Sequence, residues 1–249
     1  MLIDKAVPGR PARFVLSSPG ACELTGFYTQ LFGWQVRTGG AFVLGERTVA
    51  QVRAGQGGWL PYLTVAALPA AVERARAAGS TVAAVPQDPS GLSAVIVDPT
   101  GTPLGLSDPG DGPAVEVMAE DGAVVWAEQK TRDQEAATGF LSRLFGYEFA
   151  GPAGPGKVRV AQTAGPAFGG VMQFDDRWAP QEKPHWLLYF QVADPEASLA
   201  RAVELGGSVW FPPFDTPLGR MAYLRDPQGS AFAVVGVSAQ GAAMVGGNR

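Results

Sequence analysis

The chain repeats itself. Phe27-Tyr28-Thr29-Gln30-Leu31-Phe32-Gly33-Trp34 returns as Phe140-Leu141-Ser142-Arg143-Leu144-Phe145-Gly146-Tyr147, and Trp59-Leu60-Pro61-Tyr62-Leu63-Thr64-Val65 returns as Trp186-Leu187-Leu188-Tyr189-Phe190-Gln191-Val192. Asp98-Pro99-Thr100-Gly101 returns as Asp226-Pro227-Gln228-Gly229, so the order is kept at offsets of 113, 127 and 128 residues. Self-similarity at this spacing constrains the fold before any local pattern does, because both copies must satisfy one plan.

Within each half the pattern again suggests two related units, giving modules at 12–52, 57–107, 123–174 and 184–236. A short strand, Arg13 to Ser17 or Val125 to Thr131, opens the first and third. The helix that follows carries Leu24, Phe27, Tyr28, Leu31 and Phe32, or Ala137, Phe140, Leu141, Leu144 and Phe145, at helical spacing. Gly33 and Gly146 end those helices in the left-handed position that glycine tolerates. In the fourth unit Asp194-Pro195 reads as an N-cap with proline at the first helical position. Short β-branched or aromatic runs follow each helix, among them Phe42 to Leu44, Ala94 to Val97, Lys157 to Gln162 and Met221 to Leu224. The two Asp-Pro-x-Gly segments are turns between the last two strands of their units. Each unit is therefore βαβββ. Domains are expected at 1–110 and 123–236, with a linker over 111–122 and a flexible tail over 237–249; Gly151 to Gly156 reads as a mobile loop.

Of the 249 residues, 46% are hydrophobic and 17% charged, enough to bury a core, and the net charge of −4 with no basic run argues against a nucleic-acid partner. No apolar window is long enough for a membrane span, and Met1 to Arg10 lacks a signal-peptide layout, so a cytoplasmic location is expected. The single cysteine, Cys22, makes no internal disulfide, and its helical position suits packing better than chemistry.

The helix ending FYTQLFGW, the segment WLLYFQVADPEASLARAVELGG and the ending LRDPQGSAFAVV resemble the vicinal oxygen chelate superfamily, which includes glyoxalases, bleomycin-resistance proteins and extradiol dioxygenases. The tandem layout is similar to two-domain glyoxalase-like proteins of actinobacteria, and the resemblance spans residues 12 to 236. It implies an α+β fold in which four βαβββ modules form two glyoxalase-like domains, each curling around a concave ligand site. It also implies that metal ligands, where members have them, stand at the start of a module's first strand and on its last strand. Here the aligned first-strand positions hold Arg13, Leu60, Trp126 and Leu187, and the last-strand positions of the second and fourth units hold Gly105 and Ala233. One histidine, His185, serves the whole chain. No metal and no cofactor is therefore expected.

Alternation along the strands turns His185, Leu187, Tyr189 and Gln191 to the concave face and Trp186, Leu188, Phe190 and Val192 to the core. By the same count Trp126, Glu128 and Lys130 face inward in the third unit, Leu60, Tyr62 and Thr64 in the second, and Arg13, Val15 and Ser17 in the first. The candidate ligand-binding residues are Trp126, Leu187, Tyr189, Trp210, Phe214, Met221 and Tyr223, with Arg13 and Tyr62 in the other half; flat apolar walls with few polar groups suit a conjugated ligand. If the protein is an enzyme, Glu128, His185 and Tyr189 are the candidates for proton transfer, as in a metal-free cyclase, isomerase or lyase.

The leading expectation is a metal-independent binder of a small aromatic or polyketide-like molecule in antibiotic biosynthesis or resistance. A metal-dependent glyoxalase or dioxygenase is the least favoured reading. One dominant site is expected, in the second half, in a monomer whose duplication supplies an internal pseudo-dimer. The sequence leaves open which modules pair around each cup; adjacent pairing is simplest, and a swapped pairing would bring Arg13 towards His185.

Overall fold

The computed structural model describes residues 2–3, 6–83, 92–108, 115–163 and 165–246. The first module runs β1 (Pro11–Ser18), α1 (Ala21–Phe32), β2 (Gln35–Arg37), β3 (Ala41–Leu44) and β4 (Arg47–Ala54), and the second β5 (Gly58–Thr64), α2 (Leu68–Ala77), β6 (Thr81–Val82), β7 (Ser93–Val97) and β8 (Pro103–Ser107). The third repeats the plan as β9 (Val124–Thr131), α3 (Gln134–Phe145), β10 (Glu148–Ala150), β11 (Val158–Gln162) and β12 (Gly169–Gln173). The fourth is β13 (His185–Gln191), α4 (Pro195–Glu204), β14 (Ser208–Asp215), β15 (Gly219–Arg225) and β16 (Ala231–Val237). All four are βαβββ.

Adjacent modules pair. The strand order is β2-β3-β4-β1-β5-β8-β7-β6 in one eight-stranded sheet and β10-β11-β12-β9-β13-β16-β15-β14 in the other. At each centre the two opening strands run antiparallel, with Arg13 opposite Tyr62 and Trp126 opposite Tyr189. Each opening strand also pairs in parallel with its own module's last strand, so Tyr62 faces Gly105 and Tyr189 faces Ala233.

Caps bound α1, α3 and α4 at one end or both, whereas α2 starts at Ala67 with no side-chain cap. Gly33 and Gly146 adopt φ of 70° and 73°, and the Asp133 and Asp194 carboxylates accept from the backbone amides of Ala136 and Ala197. Their apolar faces meet in one core between the two sheets, which joins Phe14, Tyr28, Trp34 and Trp59 from the first half to Phe140, Trp186, Phe190 and Phe232 from the second. The turns clasp this junction. One oxygen of Asp226 accepts from the amides of Gln228 and Ser230, while the other accepts from Tyr28 at 3.0 Å. Asp98 does the same, taking Gln129 of the other half at 2.6 Å.

Three segments are more structured than the sequence suggests. Of the expected linker, 111–114 lie outside the described residues, but Val115 donates to Ala12, Glu116 to Thr48 and Gly122 to Gln191, so 115–122 is a packed strap between the halves. The glycine-proline loop is pinned, with Gly154 donating to the Gln134 side chain and Gly156 to Gln173. The segment expected as a flexible tail ends β16 and forms α5 (Ala239–Val245), capped by the Ser238 hydroxyl. Its small residues carry no strong helical period, and tertiary packing holds so short a helix: Gly241 lies against the Leu218 backbone and Val245 is buried.

Candidate functional site

On the face of each sheet away from the shared core lies a cup, and the two differ. In the second half a cavity of about 510 Å³ is walled by Trp126, Met172, Trp178, Phe211, Met221 and Met244. That volume falls within the range of small-molecule sites. In the first half the equivalent apolar cluster comprises only Val15, Tyr62 and Val95 with Leu60 and Ala83 against them, among the described residues.

Register explains the contrast residue by residue. It equates Arg13, Val15 and Ser17 on β1 with Trp126, Glu128 and Lys130 on β9, and Val95 with Tyr223. In the first cup the Tyr62 ring lies over Gly105, where an added Cβ would stand 2.3 Å from the ring. Arg13 stacks on the same ring with its guanidinium carbon 4.9 Å from the centroid, and Arg53 donates to the Tyr62 hydroxyl at 2.9 Å. Among the described residues, these side chains stand at the positions equivalent to those that border the cavity in the other half.

The polar floor of the second cup is a closed cluster. Lys130, with no solvent exposure, pairs with Glu128 and donates to the hydroxyls of Tyr189 at 3.0 Å and Tyr223 at 3.2 Å. Tyr189 lies 3.2 Å from Glu128 Oε1 and 2.9 Å from the Tyr223 hydroxyl, and Trp126 Nε1 donates to Glu128 Oε2 at 3.0 Å. Burial alone would push the Lys130 ammonium down, but the facing Glu128 carboxylate, helped by Tyr223, holds it above its usual range. Burial, and then the Glu128 charge, drives Tyr189 well up, so its hydroxyl keeps its proton. Lys130 is therefore charged, and the Tyr189 phenol is neutral.

Of the expected site residues, Trp126, Glu128, Tyr189, Phe214, Met221 and Tyr223 line this cavity. Leu187 is fully buried within the apolar layer of that face, and Trp210 stands behind Trp178, edge-on at 5.2 Å. Arg13 and Tyr62 belong to the other cup. His185, expected with Glu128 and Tyr189 for proton transfer, lines a separate cleft of about 300 Å³ between the halves, beside Ser17, Trp59 and Gln228. It opens β13, one step beyond the cup, where Phe174, Trp178 and Trp210 surround its ring at 5.6 to 6.0 Å.

Alternation placed Lys130 inward, yet its role was missed because no sequence pattern says which buried lysine meets a carboxylate. Trp178 lies in the irregular segment between β12 and β13, where no periodicity points to a cavity. Met244 reaches the cavity from α5, the segment that had read as a tail.

The His185 environment gives a pH prediction. Nδ1 lies 2.8 Å from the Lys183 carbonyl, and burial, with Lys130 and Arg225 adding repulsion, pushes the imidazole from 6.5 down to about 4. Because the folded state binds this proton less readily than the unfolded chain does, the neutral ring's stability is complete above about pH 6.5 and lost as pH falls towards 4. His185→Phe should flatten that part of the stability profile, by about 2–3 kcal/mol between the two limits. Melting curves from pH 7 to 4 that run parallel in the two proteins would refute it.

Tandem βαβββ modules, each pair wrapped around a concave sheet, define the vicinal oxygen chelate fold. The chain belongs to the glyoxalase-like family, whose domain matches residues 13–107 and 123–235. It is 34% identical to the anthracycline biosynthesis protein DauV of Streptomyces sp. (strain C5), over 94% of this chain and 95% of that one. To the anthracycline biosynthesis protein DnrV of Streptomyces peucetius it is 33% identical, with the same coverage. Among solved structures it superposes on the Mn(II)-bound glyoxalase from Novosphingobium aromaticivorans with a TM-score of 0.66 and 13% identity, over 92% of this chain and 82% of that one.

At the positions where the resemblance expects metal ligands, the described residues do not fit such a metal: Trp126, Leu187 and Ala233 offer no ligating lone pair in the second cup, and Tyr62 covers Gly105 in the first. No three histidine, cysteine or carboxylate side chains gather around one point among the described residues. Nor is any helix among them long and apolar enough to cross a membrane.

Proposed function

We propose that the protein is a metal-independent binder of a small, flat, largely aromatic molecule of polyketide type, held in the second cup, and that it serves natural-product biosynthesis or resistance. The observation that carries this reading is a cavity of about 510 Å³ whose walls are mostly aromatic, aliphatic and thioether side chains, with Lys157, Arg177 and Asp215 also on its lining, and whose floor is one compact polar cluster. Apolar walls supply burial and stacking, and a few polar atoms fix orientation. The relatives support the chemistry, since anthracyclines are fused-ring polyketides of this shape. The chain acts as a monomer, because its two halves already share one core. A reducing cytoplasm suits its exposed thiol, Cys22.

Anthraquinone-2-sulfonate, a tricyclic probe, should quench the tryptophan fluorescence of the protein saturably. Trp126→Ala or Trp178→Ala should weaken its binding by about 1–3 kcal/mol, roughly 5- to 150-fold, while Tyr62→Ala leaves it unchanged. Elemental analysis should find no stoichiometric transition metal. Probe affinity that ignores both tryptophans and follows Tyr62 would place the site in the other cup and overturn the reading.

A second reading, a metal-free acid–base enzyme, draws on the Glu128 carboxylate beside two phenols at the cavity floor. It has to work without His185, which lies in the other cleft. Glu128→Gln separates the two readings: a binder keeps most of its function, whereas an acid–base catalyst loses roughly 10²–10⁴-fold in turnover.

A further inference from the structure

The polar floor can be read hydrogen by hydrogen. The Lys130 ammonium has three hydrogens and three oxygen partners, on Glu128, Tyr189 and Tyr223, with the Met172 thioether, a much weaker acceptor, at 3.3 Å. The Tyr189 hydroxyl hydrogen has two acceptors in reach, Glu128 Oε1 at 3.2 Å and the Tyr223 oxygen at 2.9 Å. The Tyr223 hydrogen has one inside the cluster, the Tyr189 oxygen. Two arrangements therefore satisfy the floor. When Tyr189 donates to Glu128, Tyr223 donates to Tyr189, and the Tyr223 oxygen, which accepts only from Lys130, keeps a lone pair for an occupant. When Tyr189 donates to Tyr223 instead, both acceptor sites on Tyr223 are filled and its hydrogen is released towards the occupant.

Accessibility selects the residue that makes this contact. Tyr223 retains 6% of its surface, against 4% for Glu128, 1% for Tyr189 and none for Lys130; it lines the cavity with Glu128 and Tyr189, and of the two cavity-lining phenols it is the more exposed. We propose that the Tyr223 hydroxyl reads one ligand oxygen in both its carbonyl and its hydroxyl form, so that the second cup takes both members of a quinone–hydroquinone pair. The Tyr189 hydrogen swings between Glu128 and Tyr223 to suit each. This rests on the aromatic-ligand reading above and adds to it the chemical class of the ligand's polar edge. The ion pair keeps its partners in both states, and no buried donor is left unmet.

The test is anaerobic titration calorimetry with anthraquinone-2-sulfonate and its dithionite-reduced hydroquinone. In the native protein the two forms should bind within about threefold of each other. Tyr223→Phe should weaken both, by about 3- to 10-fold each. Tyr189→Phe is the diagnostic variant. It removes both the internal acceptor of the Tyr223 hydrogen and the competing donor to its oxygen; a quinone carbonyl meets that hydrogen, whereas a hydroquinone that donates to the Tyr223 oxygen leaves it unmet, so the quinone should come to bind roughly 3- to 10-fold tighter than the hydroquinone. A merely structural role for Tyr189 would weaken both forms alike, and that result overturns the proposal. So does a native protein that separates the two forms by more than tenfold. If neither form binds the native protein, the aromatic-ligand reading itself fails and takes this proposal with it.

Discussion

Lys130→Met is expected to destabilise the protein by about 3–5 kcal/mol, because it strips the counter-charge from a nearly buried carboxylate at the cavity floor. Glu128 retains 4% of its surface, and without Lys130 it keeps only the Trp126 indole and the Tyr189 hydroxyl as donors. For a chain of this size the loss corresponds to a fall of roughly 10 °C in the melting midpoint. The double variant Glu128→Gln, Lys130→Met should recover at least half of it. It leaves no buried charge, and the glutamine oxygen can still accept from the indole or the phenol. Thermal and urea unfolding of the three proteins decide the matter. A single variant that costs under 1 kcal/mol, or a double variant less stable than the single one, would show that this pair is not ionic and buried in solution.

The same cluster shows where sequence reasoning stops. The repeat, the capped helices and the alternation of β13 were all legible, because each depends on spacing within one segment: Phe190 and Trp186 fall to the core and Tyr189 to the cup, as alternation requires. The difference between the cups was partly legible, in the aromatics and the glutamate of the second half. What was not legible depends on contacts between segments. Glu128 and Lys130 are two residues apart on one strand, and only the burial of their shared face makes them partners. His185 sits one alternation step from Leu187 on the same face, yet Trp178 stands between it and the cavity. The Trp178 position comes from an irregular loop, which leaves no period to read. The turn aspartates are a milder case. Their local role was plain from Asp-Pro-x-Gly, while the second oxygen of each, bonded to Tyr28 or Gln129, follows only from the packing of one half on the other.

Duplication invites the view that the halves are separate domains, and Phe190→Ala tests it. Phe190 is wholly buried, with ring centroids of Phe32, Trp34 and Trp59 from the first half at 4.9, 5.7 and 5.3 Å and that of Phe232 from the second at 6.2 Å. Truncation removes the ring around which this cluster closes and leaves a void that rigid aromatic neighbours fill poorly, for an expected cost of about 3–5 kcal/mol. Because the void borders both halves, their unfolding should shift together. Calorimetry should give one cooperative transition for the native chain and one, at lower temperature, for the variant. Phe190→Leu, which keeps most of the buried volume, should lie between the two. If the native chain melts in two steps and Phe190→Ala moves only one of them, the halves are independent domains that touch. A single transition moved as a whole makes the shared core, to which both halves contribute aromatic side chains, the unit of folding.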